Sequence, residues 1–351
     1  MPRVPWPVLD HLVTLTDDVG VLQHATYDVP NRSCGYCLDD VGRALVVASI
    51  AAGQRGTEEV AARLMRTYLA YCQDAQLPDG WFHNFMGYDR RWQDDRTGGD
   101  AFARALWGIG YAECNAPRES WREIAAMIRR RAMPHVTALD HLRPRAYAIL
   151  GLVHSLDAAP SDAAAITATI DAAASFIADA YDAHKGPGWV WCEDVLTYDN
   201  ARLPEALLRA GHAVGSRRFL DAGYAMLEFL VDQTVENGVF APVGNQGWYP
   251  RGGVKAQHGQ QPLEAAAMVD AALVALDLSG DERWRRVAET AHAWFSGRNT
   301  HGADLVRNGG CCDGIDETGA NPNMGAESTV AYLMSAIALA SRSAEPLRIA
   351  R

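Results

Sequence analysis

Four carboxylates in this 351-residue chain stand where acid–base chemistry could be done: Asp40, Asp100, Asp199 and Glu264. Asp40-Val-Gly-Arg43 and Asp199-Asn-Ala-Arg202 repeat an Asp-x-x-Arg spacing. Asp39 and Asp100 stand four residues before Arg43 and Arg104, each arginine followed by Ala-Leu. Two facing carboxyl groups, one kept protonated by burial and like-charge proximity and the other ionised, can hydrolyse a glycosidic bond. Each Asp taken alone is more ordinarily a helix N-cap or a partner of the helix dipole. The collective pattern is what points to catalysis. Asp40 and Asp199 are the favoured pair, spaced for an inverting reaction, with Glu264, beside Gln260 and Gln261, in reserve as the acid. Arg43 and Arg202 argue the other way, because a close guanidinium lowers a carboxylate pKa and suits a base or a structural pair.

The unusual chemistry lies in long stretches rich in Gly and aromatic residues, at 79–100, 185–202, 245–265 and 307–328. Carboxylates, amides and arginines interleaved with Trp and Tyr suit a saccharide, whose hydroxyls need hydrogen-bond partners and whose C–H faces lie on rings. The candidate binding residues are Trp81, His83, Arg145, Trp191, Asn200, Arg202, Trp248, His258, Gln261, Asp313 and Glu327. Trp81, Trp191 and Trp248 are expected at the mouth or floor of a funnel. The bland alternative is that these rings brace loops.

Other chemistries find little support. The formal charge is -11 with no run of Lys and Arg, so neither nucleic acid nor an anionic membrane is an expected partner. The N-terminus lacks a secretory apolar stretch, and no later segment reads as a bilayer-spanning run. Seven cysteines, an odd and scattered set, read as reduced thiols of a cytoplasmic protein. Cys34-x-x-Cys37 and Cys311-Cys312, with His258 or His301, fall short of a zinc pattern, so no metal and no cofactor is expected. Gly309–Gly314 (GGCCDG) lacks the Lys of a phosphate loop, and His154 and His212 read as packing residues.

The elements that must position these residues are helices. Apolar residues recur at three- and four-residue spacing throughout. Six Ala-, Leu- and Gly-rich segments, 38–53, 99–114, 143–156, 199–215, 261–280 and 325–340, look apolar nearly all round, as buried helices should. Amphipathic segments at 7–18, 58–73, 119–132, 161–182, 216–233 and 281–296 alternate with them. Gly53, Gly211 and Gly280 offer C-caps, Ser216 and Asp281 can open outer helices, and Pro204 and Pro262 fall in first turns. The long connections all precede the apolar helices and the short ones follow them. Six hairpins of this kind close into a single (α/α)6 toroid of about twelve helices over 1–351, its N-terminal carboxylates converging on one axis.

The stretches NFMGYDRRW (84–92), LTYDNARLPEAL (196–207), GNQGWYPRGG (244–253), QQPLEAAAMVDAAL (260–273) and NMGAESTVAYL (323–333) resemble a bacterial (α/α)6 group labelled glycosyltransferase- or glycosidase-related. The resemblance runs from Tyr36 to about Leu339 and implies the toroid and a saccharide-related role. This chain reads Leu38-Asp39-Asp40-Val41 and Gly98-Gly99-Asp100 where the group carries Thr-Asp-Asp-Asn and Ser-Glu-Asp. One acidic group is therefore missing before Asp100. More loosely, the fold is similar to that of unsaturated glucuronyl hydrolases, toroid α-mannosidases and sugar 2-epimerases. The expectation is a glycoside hydrolase acting on a short oligosaccharide or glycoconjugate. A sugar epimerase or isomerase using His83 and His258, and a silent saccharide-binding partner of a glycosyltransferase, are the alternatives.

Overall fold

The three- and four-residue apolar period becomes twelve α-helices among residues 5–343, which the structure, a computed structural model, describes. Residues 1–4 and 344–351 of the expected 1–351 domain lie outside the described residues. Six helices form an inner ring: α2 (Leu38–Ala51), α4 (Gly99–Asn115), α6 (Leu142–Asp157), α8 (Arg202–Val214), α10 (Pro262–Ser279) and α12 (Ala326–Ser343). Each packs on the next, and α12 closes back on α2. Outside them lie α1 (Asp10–Leu15), α3 (Glu58–Ala75), α5 (Glu119–Ala132), α7 (Ala163–His184), α9 (Arg217–Thr234) and α11 (Arg283–Ala293). This is the (α/α)6 toroid.

Composition sorts the layers. In α10 nearly every residue from Pro262 to Leu276 is buried, whereas α11 buries only Trp284, Ala288 and Ala291. An inner helix is covered on all sides and must be apolar all round, while an outer helix needs one stripe. Small residues also set how closely the inner helices meet. A Cβ on Gly42 would stand 2.5 Å from the Arg104 carbonyl oxygen, and one on Gly110 would stand 2.0 Å from that of Gly151. Only glycine lets these backbones touch.

The long connections are stitched to one another by two-stranded ribbons. Tyr36–Cys37 pairs with Phe85–Met86, and Val195–Leu196 with Tyr249–Pro250. Gln260 bridges Ile315, and the amide of Ala326 donates to the carbonyl of Gln23. Each link joins loops that precede neighbouring inner helices, running from the loop before α8 through those before α10, α12 and α2 to the one before α4.

Several expected boundaries shift for local reasons. Gly211 lies inside α8, where a Cβ would meet Leu220 of α9, and Gly215 at φ 70° caps the helix instead. Gly53 lies beyond the Ala52 C-cap, while Gly280 at φ 69° caps α10 as expected. Asp199 does not open α8, which begins at Arg202. The expectation that no segment resembles a membrane span also needs correction. By length and composition α7 is long and apolar enough to cross a membrane, its Ala-rich sequence reaching a mean hydropathy of 1.3. Here it packs as an outer helix on α6, α8 and α9.

Candidate active site

Charged residues in the first turns of the inner helices meet at the ring axis, and burial forces them to pair. Arg43 of α2 donates through Nη1 to Asp40 Oδ1 at 2.9 Å. Its Nη2 lies 2.8 Å from Glu327 Oε2 of α12 and 3.5 Å from Asp39 Oδ1. Arg104 of α4 donates to Asp39 Oδ2 at 2.7 Å and stands 3.7 Å from both Asp100 and Asp199. Arg202 of α8 lies 3.7 Å from Asp199 and pairs with Glu205 and Asp270 at 2.7 and 2.8 Å. Flat guanidinium groups let this cluster sit among rings, Arg104 over Tyr147 and Arg202 over Trp107, each at 4.6 Å.

Glu264 works on the backbone. Its carboxyl accepts the N–H groups of Asp199 and Asn200 and the Asn200 side-chain amide. That grip holds Asp199 at φ 50°, a left-handed conformation that Asp and Asn tolerate better than most residues. Asp40 and Asp199 therefore do not occupy equivalent positions, as their shared Asp-x-x-Arg spacing implied. Asp40 sits within the first turn of α2, and Asp199 in a bend before α8.

The environments push the carboxyl groups apart in acidity. Burial, with Asp39 and Glu327 nearby, raises Asp40 to about 7 against the pull of Arg43. Burial and the Asp199 charge raise Glu264 to about 8. Burial also raises Asp199, although Arg202 and Arg104 oppose it. In Asp39 burial acts upward too, but Arg104 and Arg43 outweigh it and hold the carboxyl below its usual value. Two adjacent aspartates thus differ in charge near neutral pH, the separation that assigns acid and base roles.

A cavity of about 370 Å³ opens on this network. Asp39, Asp40, Arg43, Asp313, Glu327 and His24 are among its lining residues, with Phe85 and Asn84 at its side. Cys37 lines it too, its thiol donating to Asp40 Oδ2 at 3.2 Å. Asp313 accepts the Gly325 N–H at 2.8 Å. Of the four carboxylates named from sequence, Asp40 alone lines this cavity, joined there by Asp313 and Glu327. Asp199, only 2% exposed, is clasped between arginines.

A second cluster lies beside it. Tyr198 donates to Asp100 at 2.6 Å and faces Trp248 with ring centroids 6.4 Å apart. Arg143 stacks on Tyr198 at 4.7 Å and donates to Glu193 at 2.9 Å. Asn200, fully buried, ties Arg143, Thr197 and Glu264 together. Arg202 is likewise an internal pairing residue.

Other expected binding residues sit elsewhere. Trp191 is fully buried in the core, so it presents no face to a ligand. Arg145 turns from the axis, donating to the carbonyls of Thr137 and Leu139 and stacking on Phe176 of α7. Helix phase puts Arg143 at the axis in its place. Trp81 packs on Phe102 under the Arg96 guanidinium, and His83 stacks on Trp92 and donates to the Asp94 carbonyl. Gln261 is the N-cap residue of α10, while His258 is half-buried with Nδ1 unpaired. All seven cysteines are free, and no three His, Cys, Asp or Glu side chains gather to hold a metal among the described residues. Asp39, Arg104, Arg143, Tyr198 and His24 join the site beyond the residues expected from sequence. The i, i+4 spacing of Asp39–Arg43 and Asp100–Arg104 signalled the first two, and nothing local signalled His24.

No family model matches the chain, and no curated protein matches it in sequence. Solved structures do match in fold. The cellobiose 2-epimerase of Bacillus thermoamylovorans aligns with a TM-score of 0.74 at 11% identity, covering 95% of each chain. A D-mannose isomerase gives 0.67 at 13% identity, again over 95% of each chain. The α-mannanase of Bacteroides thetaiotaomicron gives 0.62 at 11% identity, over 95% of this chain and 94% of its own. The class is thus that of (α/α)6 toroids, a fold shared by sugar epimerases, isomerases and glycoside hydrolases.

Proposed function

We propose that this chain is a carbohydrate-processing enzyme and, more finely, an inverting glycoside hydrolase with Asp40 as acid and Glu327 as base. The observation that carries this is one cavity lined by both carboxyl groups, which share Arg43, with Asp40 titrating at about 7. Protonated Asp40 gives its proton to the glycosidic oxygen as the bond to the anomeric carbon breaks. Glu327, whose side chain is 37% exposed, takes a proton from the water that attacks that carbon. The Arg43 guanidinium lies between the two carboxyls, 2.9 Å from Asp40 and 2.8 Å from Glu327, so they do not pair directly. Asp199 is better read as a structural charge than as the base. The activities of the structural neighbours support a saccharide substrate, although fold alone does not choose a reaction.

His24 in the same cavity favours a second reading, a sugar epimerase with an imidazole moving the proton. One experiment separates the two. Purified protein is incubated with a panel of mannosides, glucosides and their free disaccharides, and products are read by NMR. Hydrolysis creates a new reducing end, with the first-formed anomer inverted. Epimerisation changes one ring carbon and leaves the glycosidic bond intact. No reaction with any saccharide, despite binding, would remove both readings in favour of a silent binding protein.

A further inference from the structure

The cavity around Asp40 is rich in acceptors and short of cations. Asp39, Asp313 and Glu327 join Asp40 in its lining, against Arg43 alone among the guanidinium and ammonium groups. Arg43 is already committed to Asp39, Asp40 and Glu327. Arg104 stands behind Asp39 and is shared with Asp100 and Asp199. Asp313 accepts the Gly325 N–H and a hydrogen bond from Ser328, with His24 the nearest basic side chain acting on it. Asp39 Oδ1 is buried without a hydrogen-bond partner. With Asp40 as the protonated acid, Asp39, Asp313 and Glu327 remain as acceptors, and an ionised carboxylate cannot donate a hydrogen bond, so a ligand that meets them must supply donors. A uronate or phosphorylated sugar would instead set like charges against each other in a partly desolvated site.

We infer that the sugar ring held in this cavity is an amino sugar carrying a free, protonated amine. The inference rests on reading the cavity as the saccharide site. An ammonium group brings three donors and a positive charge to a lining in which carboxyl groups outnumber Arg43 and His24, while the ring hydroxyls supply the remaining donors. Phe85 at the rim, 43% exposed, offers an apolar face for the C–H side of the ring.

The test is calorimetric titration at low salt near pH 7 with glucosamine, N-acetylglucosamine, glucose and glucuronate, repeated with the galacto and manno forms. In at least one configuration the amine should bind about tenfold or more tighter than the neutral hexose, with the uronate weakest. Added salt should narrow that gap, since the cavity is open to solvent. Asp313→Asn keeps the acceptor for Gly325 N–H and removes the charge. It should cut the amine's advantage over the neutral hexose several-fold. If Asp313→Asn fails to fold, the wild-type salt series decides: an amine preference that added salt leaves unchanged overturns the inference. Equal binding of amine and neutral hexose, or a uronate that binds best, overturns the inference and leaves the saccharide reading standing. Failure of every sugar in the panel to bind overturns both.

Discussion

Asp40→Asn preserves shape and removes a titrating group, so its effect on stability should depend on pH in a calculable way. Asp40 titrates at about 7 in the fold against an ordinary 3.8. Between those values the folded protein holds a proton that the unfolded chain has released. The raised pKa therefore stabilises below the unfolded value, and that contribution is lost as pH rises through about 7. From about pH 5 to about pH 8.5 the linkage relation gives roughly 3 kcal/mol of wild-type stability lost through this one group. The asparagine variant has no proton to lose at this position. With an unfolding entropy of about 2.1 cal/mol/K per residue over this chain, the difference amounts to ~4 °C in melting temperature. The two proteins should melt together only below about pH 3.8, where Asp40 is protonated in both states. Near pH 5 the variant should already lead by roughly 2 kcal/mol, because the unfolded wild-type chain has released its proton there. Near pH 8.5 that lead should be wider. Glu264 carries the same signature and is present in both, so it cancels in the comparison. Scanning calorimetry in buffers of matched ionic strength reads the effect. A melting difference that stays flat within about 1 °C across that pH range would show that Asp40 is ionised in the fold, and the acid assignment would fall.

Activity gives the complementary tests. On a cleaved substrate the rate should drop about tenfold per pH unit above roughly 7, as Asp40 loses its proton, and Asp40→Asn should lower kcat by about two to four orders of magnitude. Glu327→Gln should cost a similar factor at unchanged melting temperature; turnover within a few-fold of wild type rules it out as the base. Asp199→Asn suits the left-handed bend and should lose stability rather than chemistry, keeping kcat within about tenfold. A folded Asp199→Asn protein with kcat down by several orders of magnitude would return the base role to Asp199. Arg104→Met strands Asp39, Asp100 and Asp199 together, and should destabilise by about 3–5 kcal/mol in urea titration.

Much of the fold was legible in the sequence because it depends on local periodicity. Apolar residues at helical spacing fix twelve helices, and the contrast between all-round apolar segments and charged ones sorts them into layers. Gly280 and Pro262 mark the ends of α10 by backbone rules that need no tertiary contact. Even the convergence of carboxylates follows once the hairpins alternate. What only the tertiary structure decided is the pairing of charges through space. Asp199 takes its left-handed bend because Glu264 holds it from 65 residues away, and no local spacing encodes that grip. Arg143 meets Glu193, Tyr198 and Asn200 of the loop before α8, whereas Arg145 turns to the carbonyls of Thr137 and Leu139, a choice that neighbouring elements make. Trp191 is buried where loop composition suggested exposure. Glu327 meets Arg43 only because the last inner helix closes onto the first, and that closure brings Asp40 into the same cavity as a second carboxylate. Sequence sets which residues share a helical face, since that follows from 3.6 residues per turn. Which charges lose their water and which find partners depends on surfaces far apart in the chain.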